Sequence, residues 1–188
     1  ARALLADAPV KEAVHEQPQL ELAPEGEDID EHLSRKYGTS AEKNAANRES
    51  IRQRGEQVGF TFTTGARTRI YNTFDAHRLL HWAHETAPEK QKALKQALFT
   101  AHFTENRNLT DAGVLTAAAE KAGLDRAEAG EVLASGRYAQ AVRQAEDLWR
   151  ARGITSVPAV VVEGKYLISG GQPASVFEEA LRKIASEV

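Results

Sequence analysis

The segment Gly153–Val162 constrains the fold of this sequence more than any other part of it. It ends in an apolar, β-branched run, Ala159–Val162, which has the length and composition of a strand. Pro158 stands immediately before this run, and proline is tolerated at the first residue of a strand because its missing N–H costs little there. The turn at Gly164 and the second apolar run, Lys165–Ile168, predict a β-hairpin.

Helical patterns dominate residues 38–152, where almost no strand signal occurs. Gly38 is predicted to end a short helix, and one helix is predicted from Pro88 to Phe103. Thr110 is predicted to cap the next helix, and Asp125 to begin the one after it. A helix over 1–14 and a strand over 15–22 are predicted before that stretch, and a further amphipathic helix follows the hairpin. The sheet elements therefore flank the helical stretch on both sides. The sequence predicts an α/β fold, with one domain formed by 1–37 and 153–188 and an inserted α-helical domain formed by 38–152.

Composition narrows the function classes. The chain carries 24 Lys and Arg against 27 Asp and Glu, a formal charge of −3, whereas nucleic-acid binding needs a basic face. No window approaches the roughly 20 apolar residues of a membrane-spanning helix. We therefore expect neither nucleic acid nor membrane as a partner. The 188 residues include no cysteine, which excludes disulfides, thiolate metal sites and a cysteine nucleophile within them.

The Val157–Pro158 bond has two readings. A trans proline at a strand start is the ordinary case, since most X–Pro bonds in folded proteins are trans. A cis bond would turn the backbone sharply and leave the N–H and C=O of Val157 facing outward, where an extended peptide could pair with them. The order helix, glycine, Val-Pro, strand, turn, strand, Gly170-Gly171, helix favours the cis reading.

Four segments together resemble the DsbA-like oxidoreductases of the FrnE type. No single segment is specific, but their combination is, and the resemblance runs from about Gln17 to the C-terminus. The segments are Arg67–Ala83, Ala97–Glu105, Ser156-Val157-Pro158 and Ile168–Pro173.

The resemblance implies a thioredoxin-like fold with a large α-helical insertion and thiol–disulfide exchange through a C-x-x-C motif at the start of the first helix. It implies that an extended substrate binds at a cis-Pro loop. The partners would be protein or small-molecule thiols and disulfides, with glutathione as a possible co-substrate, no cofactor, a cytoplasmic location and a possible homodimer. The substrate-binding residues carried over are Ser156, Val157, Pro158, Gly170 and Gly171.

The chain departs from the family pattern at its beginning. Ala1–Val14 matches the later part of the first helix and His15–Leu22 the second strand, while the first strand and the C-x-x-C motif do not occur in these 188 residues. That strand is central in the fold, so its loss would leave buried N–H and C=O groups unpaired. Three explanations stay open: the protein extends beyond these residues, it is a redox-inactive homologue, or another chain supplies a strand. The first predicts an intact mass above 20.5 kDa.

Other functions compete with thiol exchange. A kappa-type glutathione transferase or 2-hydroxychromene-2-carboxylate isomerase has a similar architecture, and Gly170-Gly171 before a helix could receive a glutathione-like anion. A redox-inactive peptide-binding or chaperone-like module is the third alternative. His77, His81 and His84 share a helix face and could bind Zn²⁺ or Cu²⁺, but hydrogen bonding within the helical domain is the simpler reading, and we expect no metal.

Overall fold

The computed structural model describes residues 25–63, 69–154 and 158–187. They fall into two compact units, one within Gln19–Val142 and the other within Arg143–Val188. The helix predicted over 1–14 and the strand predicted over 15–22 lie outside the described residues. The domain boundaries predicted from the sequence stay a prediction.

The described part of the chain is mainly helical. Among these residues no helix is both long and apolar enough to cross a membrane. The helices are α1 (Ile29–Tyr37), α2 (Ala41–Gln57), α3 (Phe74–Thr86), α4 (Pro88–Phe99), α5 (Ala112–Lys121), α6 (Arg126–Ser135), α7 (Ala139–Ala151) and α8 (Ala174–Glu187). The strands are β1 (Glu27–Asp28), β2 (Arg69–Ile70), β3 (Ala159–Val162) and β4 (Tyr166–Ser169).

Aspartate side chains begin three of the helices in the first unit. The carboxylates of Asp28, Asp111 and Asp125 accept hydrogen bonds from backbone N–H groups in the first turns of α1, α5 and α6. The cap of α5 corrects the sequence-based expectation, which placed it at Thr110. Gly38 ends α1 as predicted, with a φ of +63° that a residue with a side chain rarely adopts.

The core of the first unit lies between α3, α4, α5 and α6. Leu79 and Trp82 of α3 pack with Leu94 of α4, Leu115 of α5 and Val132 of α6, and each is at most 1% exposed. Burying a large apolar side chain contributes about 1.5–3 kcal/mol relative to leaving it in water. These contacts therefore dominate the stability of the helical bundle.

A π-helical turn, Thr100–Thr104, follows α4 directly. The N–H of Glu105 donates to the carbonyl of Thr100 at 2.9 Å, which is the i to i−5 spacing of a π-helix. The sequence pattern predicted one uninterrupted helix from Pro88 to Phe103, so the widened turn is a correction to that expectation.

The second unit contains the predicted hairpin. Strands β3 and β4 pair antiparallel from Ala159 opposite Ser169 to Val162 opposite Tyr166. Ile184 of α8 is buried, and the hydroxyl of Tyr166 donates to Glu187 at 3.1 Å, which ties α8 to β4.

Candidate functional site

The described part of the predicted substrate-binding site is the end of the β3–β4 hairpin at which Pro158 faces Gly170. The N–H of Gly170 donates to the carbonyl of Pro158 at 2.8 Å, one step beyond the Ala159–Ser169 pair, so it extends the hairpin ladder. Gly170 has a φ of +81°, a conformation that favours glycine over residues with a side chain. The backbone of the site is therefore fixed at Pro158 by the opposite strand.

Gly171 and Gln172 follow Gly170 directly at this end of the hairpin. A Cβ atom at Gly171 would lie 4.0 Å from the Cγ atom of Pro158, so a larger side chain there would stand beside the proline ring. The side-chain amide of Gln172 donates to the carbonyl of Ser169 at 2.9 Å, and its backbone N–H donates to the carbonyl of Gly170 at 3.0 Å. Pro158 and Gly171 are both exposed, so a ligand could reach the proline face.

The structure brings together three of the five predicted substrate-binding residues: Pro158, Gly170 and Gly171. Ser156 and Val157 lie outside the described residues, and with them the Val157–Pro158 peptide bond. The three residues offer backbone polar groups and a ring face but no ionisable side chain. These groups could contact a ligand through hydrogen bonds and the proline ring, whereas bond-breaking chemistry would need a group from elsewhere.

The three histidines of α3, which the sequence offered as metal ligands, differ in their contacts and exposure. The ring of His81 packs against the ring of Tyr138 with centroids 5.3 Å apart, His84 is exposed, and His77 is partly buried. In the part of the chain that the structure describes, no group of three or more His, Cys, Asp or Glu residues is placed to hold a metal ion. Metal binding at these histidines gains no support from this arrangement.

Arg78 is a buried charge that sequence reasoning did not single out. It is 4% exposed, and its guanidinium donates to Asp75 at 2.7 Å, to the carbonyl of Arg137 at 2.9 Å and to the carbonyls of Val132 and Leu133. It therefore donates to backbone carbonyls at and just beyond the end of α6, where a helix leaves its last carbonyls without partners in the helix itself. The only sequence signal was Asp75 three residues earlier on the same helix face.

Glu146 on α7 is a second buried ionisable group that the sequence reasoning missed. Its side chain is 6% exposed, and burial raises the pKa of its carboxyl above the ordinary value, partly offset by the Arg150 guanidinium at 3.4 Å. A raised carboxyl pKa favours the protonated form. Burial of the Glu146 carboxyl therefore shifts its pKa upward, against the opposing charge of Arg150.

Known proteins resemble this chain in sequence and in fold. The chain is 33% identical to a probable DsbA oxidoreductase from Streptomyces coelicolor, whose crystal structure matches with a TM-score of 0.84 over all of this chain and 82% of the other. The structure of a candidate protein disulfide isomerase from Nitrosomonas europaea matches with a TM-score of 0.68 at 20% identity, over 84% of this chain and 88% of the other, and shows likeness of fold alone.

One curated relative, the uncharacterized protein YwbO of Bacillus subtilis (strain 168), is 35% identical over 85 residues. That match covers 45% of this chain and 42% of the relative. The model of the DSBA-like thioredoxin domain matches residues 3–182, which is nearly the whole chain. This chain therefore belongs to the DSBA-like thioredoxin domain family and has the α/β thioredoxin fold with a helical insertion.

Proposed function

We propose that this chain forms the substrate-binding side of a thiol–disulfide oxidoreductase or isomerase of the FrnE type. Membership of the DSBA-like family supports an oxidoreductase of the thiol–disulfide class. The observation that supports the finer proposal is the position of Pro158, which is exposed and whose carbonyl accepts a hydrogen bond from the N–H of Gly170 at 2.8 Å. Pro158 stands at the start of the strand where this family presents its substrate loop.

In this proposal Val157 and Pro158 present a strand-like backbone to an extended segment of the substrate. Main-chain hydrogen bonds at such an edge supply affinity without requiring a particular substrate sequence. Gly171 leaves the face of the proline ring open to the substrate, because a side chain at this position would stand beside the ring. Ser156, next to Val157, completes the predicted loop.

The chemistry in this proposal requires a C-x-x-C pair from outside these residues, because none of the 188 is cysteine. One thiolate attacks a sulfur of the substrate disulfide and forms a mixed disulfide, and the first substrate thiol leaves. The second cysteine then displaces the other substrate thiol, so the substrate disulfide is reduced and the C-x-x-C pair is oxidised. A thiol co-substrate of the glutathione class would reduce the pair again.

Reduction or isomerisation suits a cytoplasmic location, because the cytoplasmic thiol pool is reducing. We propose that location, with proteins or small thiols as partners and no cofactor or bound metal. A homodimer is compatible with the proposal but is not required by it.

Three measurements on the protein from its natural source test this function. We expect an intact mass above 20.5 kDa and at least two titratable thiols, and we expect the protein to accelerate the reduction of insulin by dithiothreitol. A mass of 20.5 kDa together with no titratable thiol would refute the proposal. Conjugation of glutathione to an electrophile without insulin reduction would instead identify a kappa-type transferase or the related isomerase.

The absence of cysteine from the 188 residues favours one second candidate, a redox-inactive peptide-binding homologue. Such a protein would bind an extended polypeptide at Pro158 without exchanging thiols. Retained binding of unfolded insulin chains together with no thiol titre would favour this candidate over the oxidoreductase.

A further inference from the structure

Helices α1 and α2 form an arm that is set apart from the helical bundle of the first unit. Among the described helices and strands, α2 packs substantially only against α1, and α1 only against α2 and β1. The two helices are tied by Asp30, which accepts hydrogen bonds from Asn44 at 3.1 Å and from Arg48 at 2.6 Å. Asn44 is 3% exposed, whereas the side chains of Asp30 and Arg48 are 42% and 43% exposed, so the joint is buried on its Asn44 side and links the two helices there.

The arm meets the rest of the unit at a hinge, which we define as the pairing of β1 with β2. Glu27 pairs with Ile70 and Asp28 with Arg69. The guanidinium of Arg69 donates to the carbonyl of Glu25 at 2.5 Å and to the carbonyl of Gly26 at 2.8 Å. This joint is only two residues long on each strand, so it connects the arm without extensive packing.

The second connection is a latch, which we define as the segment Phe60–Thr63 docked on the π-turn. The N–H of Thr63 donates to the carbonyl of Phe103 at 2.9 Å, and its hydroxyl donates to the carbonyl of Thr104. In return, the hydroxyl of Thr104 donates to the carbonyl of Thr61 at 2.6 Å. Phe62 packs edge-on against Phe103 with ring centroids 5.5 Å apart.

The π-turn explains why the latch can form. An α-helix continuing past Thr104 would use the carbonyls of Phe103 and Thr104 within itself, whereas here both accept from Thr63. The chain leaves the π-turn instead, and the N–H of Arg107 returns to the carbonyl of Ala101 at 2.8 Å. π-helical turns are rare in proteins, and those that occur often lie at functional sites. We therefore expect this one to have a specific role, such as docking the latch.

We propose that the arm opens from the bundle as one body, turning at the hinge when the latch leaves the π-turn. Between described residues, three hydrogen bonds near the surface and the contact of Phe62 with Phe103 hold the latch, whereas the bundle is held by buried side chains. The arm therefore belongs to the part of the structure that opens below the global unfolding free energy. Opening uncovers the rings of Phe62 and Phe103, next to Phe99, which is already 44% exposed.

Amide hydrogen exchange of the full chain, with and without Thr104→Val, tests this proposal. Valine keeps the shape of threonine and removes the donor to Thr61. We expect the amides of α2 and of Thr63 to exchange faster by one common factor, on the order of fivefold, while amides of α3 to α6 are unchanged. The matched control is Thr86→Val, which removes a hydroxyl that donates to the carbonyl of Trp82 at 2.8 Å within α3, and it should leave the arm unaffected.

The unaltered protein gives a second test that does not depend on a folded variant. In low urea, the exchange of α2 and Thr63 amides should depend on urea less steeply than that of α3 to α6 amides, because opening the arm exposes less surface than global unfolding. Equal urea dependence for both groups would overturn the proposal. Faster exchange at Thr63 with unchanged α2 amides would overturn it as well, because the arm would then not move with its latch.

Discussion

Replacing Arg78 with methionine should destabilise the first unit far more than loss of one ion pair suggests. Methionine keeps most of the apolar stem but removes the donors to the carbonyls of Arg137, Val132 and Leu133. A hydrogen bond to a charged group contributes about 1.5–3 kcal/mol, and breaking a buried charged network costs about 3–5 kcal/mol. Water entering beside Asp75, which is 45% exposed, would offset part of the sum. We therefore expect a loss of about 3–5 kcal/mol.

Urea denaturation followed by far-ultraviolet circular dichroism measures this loss, because the first unit holds α1 to α6 and most of the helical signal. The matched control is Arg126→Met, which removes an exposed ion pair with Glu120 at 2.9 Å and should cost about 0–1 kcal/mol. If the two variants lie within 1 kcal/mol of each other, Arg78 does not stabilise the end of α6 in the way its contacts indicate.

Two further predictions concern α2 and its surroundings. Alanine for glycine normally stabilises a helix interior by about 1 kcal/mol, but Gly55→Ala should lower the melting temperature, because the new Cβ would lie 2.6 Å from the ring of Phe62. Gly130→Ala in α6 has no neighbour closer than 4.0 Å and should raise it, so a rise for both would contradict the packing. Hydrogen bonds from Arg52 lower the pKa of Glu49 from 4.5 to about 2. This pair therefore stabilises the fold at pH values above the ordinary pKa of glutamate, and the stabilisation is lost as the pH falls toward 2. Titration of the Glu49 carboxyl by nuclear magnetic resonance measures its pKa, and a midpoint near 4.5 would refute the pairing.

Local signals in the sequence predict the features that depend on a few neighbouring residues. Gly38 ends α1 and Asp125 begins α6 as expected, because a left-handed residue or a capping carboxylate acts within one turn of helix. The strand Ala159–Val162 is also predicted correctly, and its antiparallel register brings Pro158 beside Gly170. The described part of the candidate site therefore follows from sequence pattern and hairpin geometry.

Features that depend on distant contacts could not be predicted in the same way. The π-turn after α4 is stabilised by Thr63, which is about forty residues away in sequence, so its own residues read as ordinary helix. Arg78 reads as a surface residue, because arginine is seldom fully buried and the carbonyls that receive it lie on α6 and beyond. The predicted cap of α5, Thr110, is one residue before the observed cap, Asp111. Both residue types cap helices well, and only the folded backbone selects between them.

The chain's two tryptophans lie in different compact units. Trp82 is 1% exposed in the core of the first unit, whereas Trp149 of the second is half-buried beneath the guanidinium of Arg152, 5.1 Å from its ring centroid. An indole in an apolar interior emits at shorter wavelength than one in contact with water, so the two fluorophores are spectrally separable. Each unit thus carries its own optical reporter, and one denaturation series can distinguish a single cooperative transition from two successive ones.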